Sequence, residues 1–160
     1  MPVSPGIEKV KTLGVLCASA VNLCQSKRQS TKHMDINKLS GQIIGAAIEV
    51  HTNLGPGLLE SAYEECLCHE LLLRKLSYER QKPLPLSYKG INLDCGYRLD
   101  VVVENAIILE LKACEQIEPI HKAQLLTYLK LSDLKLGLLL NFHVPVMKDG
   151  VVRLVNQLEE

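Results

Sequence analysis

Tyr97-Arg98-Leu99-Asp100-Val101-Val102-Val103, followed by Ile107-Ile108-Leu109-Glu110-Leu111-Lys112, gives two short apolar runs that each carry charge where a buried strand should have none. Burying a carboxylate costs several kcal/mol unless a partner or a metal compensates it. An aspartate on one strand, with a glutamate and a lysine two apart on the next, matches the needs of metal-dependent phosphodiester hydrolysis. Carboxylates hold Mg²⁺ through oxygen, and a lysine can orient or deprotonate water or neutralise a phosphate.

Strand geometry sets a condition on this grouping. Side chains alternate along a strand, so Glu110 and Lys112 share a face, roughly 7 Å apart. A two-residue turn at Glu104-Asn105 would set Asp100 against Leu109, on the wrong face. A three-residue loop, 104–106, or a bulge sets Asp100 opposite Glu110. The reading therefore requires the loop or the bulge.

Outward from this hairpin, the chain reads as a single α/β domain. Leu39 to Thr52 and Leu58 to Leu73 have helical spacing, separated by the turn signal Asn53-Leu-Gly-Pro-Gly57. Leu59, Ala62, Tyr63, Cys66, Leu67 and Glu70 fall near one face of the second helix. Tyr78 to Gln81, Leu84 to Lys89 and Ile91 to Leu93 read as strand, with Pro83 and Pro85 favouring an edge. Cys95-Gly96 suggests a bulge. Pro119 opens a helix through Leu131. Leu136 to Phe142 fits a strand covered on both faces, and Lys148-Asp149-Gly150 closes a hairpin between Val144 to Met147 and Val151 to Val155. The order implies helices around a mixed sheet.

Length and composition suit one domain of 160 residues with an aliphatic core, since there is no Trp and one Phe. No apolar run approaches a membrane span, so the expectation is a soluble, cytoplasmic protein with no membrane partner. The net charge is zero, but it divides unevenly. Residues 1–33 carry five basic side chains against Glu8, and residues 34–160 carry 13 basic against 17 acidic. An acidic domain counts against tight, unassisted DNA binding. The six cysteines contain no C-x-x-C pair. Cys66-x-Cys68-His69 lacks a second pair at ligand spacing, so reduced, buried thiols are the better reading. Residues 1–33 read as a disordered extension or a mis-annotated start, with Met34 a plausible start for the domain at 34–160.

On the helix after Lys112, His121, Gln124 and Tyr128 form one polar stripe, while Leu125, Leu126 and Leu129 face the sheet. The stripe either serves phosphate or metal-bound water, or Gln124 and Tyr128 cap the core edge and satisfy each other. Glu60, after a glycine-rich turn, either completes a metal shell or is a helix N-terminal acid favoured by the dipole. Glu64, one turn on, reads as a solvated neighbour, and His51 as a satisfied core residue.

These residues resemble the PD-(D/E)XK nuclease superfamily, and more narrowly the small bacterial GxxExxY proteins. Gly57-Leu58-Leu59-Glu60-Ser61-Ala62-Tyr63 matches the naming motif of the latter. Asp100 and Glu110-Leu111-Lys112 match the superfamily signature, with Leu99 where a proline often leads. Gly96-Tyr97-Arg98-Leu99-Asp100 and Gln124-x-x-x-Tyr128 look like motifs of RecB-type nucleases. The resemblance covers roughly residues 36–158. It implies a restriction-endonuclease-like core and a nuclease acting on nucleic acid, chiefly DNA, leaving 5′-phosphate and 3′-hydroxyl ends. Asp100 and Glu110 would bind Mg²⁺ (or Mn²⁺), Lys112 would serve water or charge, and Glu60, Gln124 and Tyr128 would support them. The alternative is a non-catalytic interaction or dimerisation module of the same fold, an edge strand and surface leucines being compatible with a homodimer. A third reading, a ligand- or metal-uptake binding protein, requires the N-terminus to be an export signal.

Overall fold

The computed structural model describes residues 35–93 and 96–156. The expectation for residues 1–33 lies outside them, as does Cys95 of the expected bulge. Helix α1 (Ile36–Leu54) starts where the Asp35 carboxylate accepts from Asn37 N (2.9 Å) and Lys38 N (3.2 Å), an N-cap that satisfies otherwise orphaned donors. It ends at Gly55, whose φ of 68° favours glycine. Helix α2 (Glu60–Leu73) runs beside it. Leu39, Ile43, Ala47 and Val50 from α1 join Tyr63, Leu67 and Leu71 from α2 in one apolar cluster. Leu59, expected on that face, is instead 78% exposed as the α2 N-cap residue.

This cluster covers one face of a five-stranded mixed sheet. Its strands are β1 (Tyr78–Pro83), β4 (Arg98–Val103), β5 (Ile107–Lys112), β6 (Leu136–Asn141) and β7 (Val151–Val155), ordered β1-β4-β5-β6-β7. Only β5 and β6 are parallel, joined through helix α3 (Pro119–Ser132), and β6 is buried at all six positions. β1, with its terminal Pro83, is an edge strand. β2 (Leu86–Tyr88) and β3 (Ile91–Leu93) form a separate two-stranded hairpin. α3 packs on the opposite sheet face, where Leu125, Tyr128 and Leu129 meet Val102, Ile108 and Leu139. The fold is the α/β restriction-endonuclease-like arrangement, a mixed sheet flanked by helices.

One expected strand is absent. Val144 to Met147 does not pair; the chain makes a 3₁₀ turn over Met147–Gly150 and enters β7, which pairs antiparallel with β6. The physical reason is that the apolar β6 needs a second hydrogen-bonded neighbour, and β7 supplies it. Gly150 permits the approach, because a Cβ there would collide with the Asn141 carbonyl. Gly137 similarly lets α3 close on the sheet, a Cβ there coming within 2.8 Å of Leu125. Gly137→Ala is expected to cost about 1–3 kcal/mol by overpacking. Gly150→Ala should cost more, since backbone cannot move aside as a leucine tip can. Urea midpoints of the two variants check that order.

Candidate active site

The β4–β5 connection decides the site. Val103 pairs with Ile107, Val102 with Ile108 and Val101 with Leu109, so the loop is the three residues 104–106. Glu104 and Asn105 both take left-handed backbone (φ 51°). Ala106 N returns to the Val103 carbonyl at 2.9 Å, and Ala106 is the extra residue that moves the register. The same register carried one step further sets Asp100 across from Glu110, as the grouping required.

Ladder pairing, however, stops at Val101–Leu109. Beyond it, the Leu111 N–H donates to the Asp100 carboxylate at 2.9 Å. On β1, Gln81 faces this break with a φ of 47°. Glu110 is almost fully buried, and its Oε1 takes the Lys112 ammonium at 2.7 Å. Its Oε2 is buried and has no hydrogen-bond partner among the described residues.

Burial pushes the carboxyls of Asp100 and Glu110 above the usual range. For Asp100 the Leu111 N–H and Lys112 pull downward, while Glu64 and Glu60 add to the rise. For Glu110 the Asp100 charge adds to burial, and Lys112 opposes both. Burial works against the Lys112 cation, but Glu110, then Asp100 and Glu60, outweigh it and hold the ammonium above its ordinary value.

Glu60 reaches this cluster from α2. Its Oε1 accepts from Ala113 N at 3.0 Å, one residue past Lys112. Tyr63 fixes that helix end: its hydroxyl donates to the Gly55 carbonyl (2.7 Å) and accepts from Leu58 N (3.1 Å). Its ring stacks on Phe142, with centroids 4.3 Å apart. Gly57, at φ 108°, completes a turn that favours glycine.

Gln124 and Tyr128 are brought together, but with each other. Gln124 Nε2 donates to Tyr128 Oη at 2.7 Å, and Tyr128 is buried in the α3 cluster. His121 completes a capping box with Glu118 at the start of α3. His51 is buried and donates from Nε2 to the Val144 carbonyl at 2.8 Å, a satisfied core histidine.

Glu64 is not a solvated neighbour. It is buried, and Arg80 Nε and Gln81 Nε2 each donate to it at 2.8 Å. Its position one turn after Glu60 was the available signal, but only the fold brings β1 against α2. Asn141 also escaped the sequence reading. Its side chain accepts from Cys114 N (3.2 Å) and His143 N (3.2 Å) and donates to Cys114 O (2.8 Å). It thereby fixes the segment that leaves Lys112. A lone amide closing an otherwise apolar strand was the clue. The Cys68 thiol is pushed up to about 11, chiefly by burial, and Cys66, Cys68 and Cys114 are free.

A family model for the PD-(D/E)XK nuclease superfamily matches residues 37–154. The chain belongs to this superfamily. No curated protein and no solved structure matches it. PD-(D/E)XK nucleases usually use divalent metals, and their fold suggests contact with nucleic acid. Among the described residues no helix is long and apolar enough to cross a membrane.

The donor set suits a hard cation. Asp100 and Glu110 offer carboxylate oxygens, and the partnerless Glu110 Oε2 is a buried acceptor of the kind an ion would satisfy. No three His, Cys, Asp or Glu side chains among the described residues already gather around one point. Mg²⁺ does not need them, since it keeps several waters and is commonly held by one or two carboxylates plus phosphate.

The pH response follows from the raised Asp100 value. A carboxyl titrating higher in the folded chain than in the unfolded chain stabilises the fold where it is protonated. That contribution is lost as pH rises from the ordinary Asp range through the raised value. Asp100→Asn keeps an acceptor for Leu111 N–H but carries no charge. In EDTA, the variant is expected to have the higher Tm at pH 8, with the difference shrinking as pH falls towards 4.

Proposed function

We propose that this protein is a Mg²⁺-dependent (or Mn²⁺-dependent) nuclease that hydrolyses DNA phosphodiester bonds and belongs to the GxxExxY group of its superfamily. The observation that carries the reading is the buried Glu110 and half-buried Asp100 carboxylates beside the Lys112 ammonium, with Glu110 Oε2 left without a partner among the described residues. Asp100 and Glu110 would hold the ion. When bound, it supplies positive charge to the scissile phosphate and makes water a stronger acid.

Lys112, held on Glu110 Oε1 at 2.7 Å, would orient or activate water or counter the charge that builds on phosphate. Glu60 and Asn141 fix the backbone on either side of Ala113 and so aim Lys112. Gln124 and Tyr128, bonded to each other, would act after exchanging that bond for substrate or water. The expected products are a 5′-phosphate and a 3′-hydroxyl, made in the cytoplasm.

The rival, a non-catalytic module of the same fold, draws support from the acidic balance of residues 34–160 and from exposed Leu72 and Leu73 on α2.

Calorimetric titration with Mn²⁺ and Mg²⁺ separates the two readings. Binding by the wild type that Asp100→Ala and Glu110→Ala each abolish, with both variants folded by circular dichroism, is the expected result. A folded wild type that takes up neither ion would favour the module. Lys112→Ala is expected to keep the ion and to cut DNA at least about 100-fold more slowly, the scale of losing one charge-stabilising donor.

A further inference from the structure

The β2–β3 hairpin lies outside the five-stranded sheet and carries an exposed ring. Tyr88 is 60% exposed, opposite Ile91 at 62%. The Lys89 ammonium lies 5.4 Å from the Tyr88 ring centroid. Between the hairpin base and the start of β4 is a cavity of about 400 Å³, lined by Pro83, Leu84, Pro85, Leu93, Tyr97 and Arg98 among others. Its lining is mostly apolar, and it includes the 47%-exposed Tyr97 and the exposed Arg98.

This cavity adjoins the carboxylates. Arg98 is two residues before Asp100 on β4, about 7 Å along the strand. The Tyr97 ring meets the Tyr128 ring edge-on, with centroids 6.3 Å apart, and Tyr128 carries the bond to Gln124. Charge follows the same geography. Residues 80–98 hold Arg80, Lys82, Lys89 and Arg98 against Asp94, whereas the rest of 34–160 is acidic. Arg80 is engaged by Glu64 and Glu65, and Lys82 by Glu79. Lys89 and Arg98 contact no acid within salt-bridge distance among the described residues.

We infer that this cavity and hairpin form a platform for single-stranded nucleic acid leading to Asp100. An unpaired base offers a flat apolar face that fits the Pro83–Leu84–Pro85 lining and stacks on Tyr97, and a second stacks on Tyr88. Arg98 and Lys89 then meet the connecting phosphates. Stacking on aromatic rings flanked by cations is how proteins hold single strands without reading sequence. A duplex keeps its base faces inside the stack and has no use for the apolar lining. The inference rests on the nucleic-acid reading of the neighbouring site, but it concerns binding and needs no metal.

The test uses the full chain in EDTA with a fluorescein-labelled, mixed-sequence 12-mer deoxyoligonucleotide, read by anisotropy beside its blunt duplex. The single strand is expected to bind at least about ten-fold tighter than the duplex. Tyr97→Ala and Tyr88→Ala should each weaken it about five-fold or more, the low end of one stacked base. Arg98→Ala should lower the slope of log K against log salt by about 0.7, the share of one phosphate on a single strand. Duplex binding as tight as single-strand binding, no binding of either, or tyrosine variants that bind like the wild type would each overturn the platform. Cleavage with added Mn²⁺, compared with Glu110→Gln, reports separately on the nuclease reading. Cleavage that ignores both tyrosines removes the platform alone, and tyrosine-dependent binding by a chain that cleaves nothing removes the nuclease alone.

Discussion

The buried Glu110 and half-buried Asp100 carboxylates beside the Lys112 ammonium are the constraint around which this domain is arranged. Asp100 and Glu110 could not stay in an apolar sheet as free anions, because the interior cannot replace their hydration. The chain meets that cost locally. β4 and β5 stop pairing at Val101–Leu109, and the Leu111 N–H turns to Asp100. Lys112 neutralises one Glu110 oxygen. Both devices come from β5 itself, so a change in β5 register would undo the pairing and the compensation together.

The helical layer is tied to the same point. Tyr63 is a core residue by burial, but its hydroxyl binds the turn that launches α2. That turn sets where Glu60 begins, and Glu60 takes the first free backbone donor after Lys112. Phe142 stacks on Tyr63, and its own N–H donates to the Lys112 carbonyl at 2.8 Å. Core packing and site geometry are therefore one network here. In such a network, a substitution at the spaced Gly, Glu and Tyr positions is felt at the carboxylates without touching them.

Much of this was legible in the chain because the signals were local. Charges inside β-branched runs marked the site, and alternation, if Asp100 was to face Glu110, demanded a three-residue loop at 104–106 or a bulge. What stayed hidden depended on partners far away in sequence. Nothing near Glu64 announces that Arg80 and Gln81 will bury it, because β1 reaches α2 only once the sheet has formed. The Val144 to Met147 segment looked like a strand by composition. The apolar β6 instead takes β7 as its neighbour, and tertiary pairing overrides propensity there. The Gln124–Tyr128 stripe was visible, but whether its groups face outward or bond each other is a rotamer question that spacing cannot answer.

The balance of charge finally bears on whether the cluster is structural or functional. A buried ion group kept only for architecture lowers its energy by pairing each charge and filling each lone pair. Glu64 shows that this fold can do so, since both its oxygens are bonded by β1 donors. Arg98 stands two positions before Asp100 on β4, so a second cation was within reach of the same strand. Arg98 instead lies exposed, its Nη1 donating to the Gln81 carbonyl at 3.3 Å. Among the described residues Glu110 Oε2 remains without a donor, and Asp100, Glu110 and Glu60 place three carboxyl groups around the Lys112 ammonium. That Glu64 has both oxygens bonded while Glu110 does not is the contrast that supports the proposed ion at Glu110.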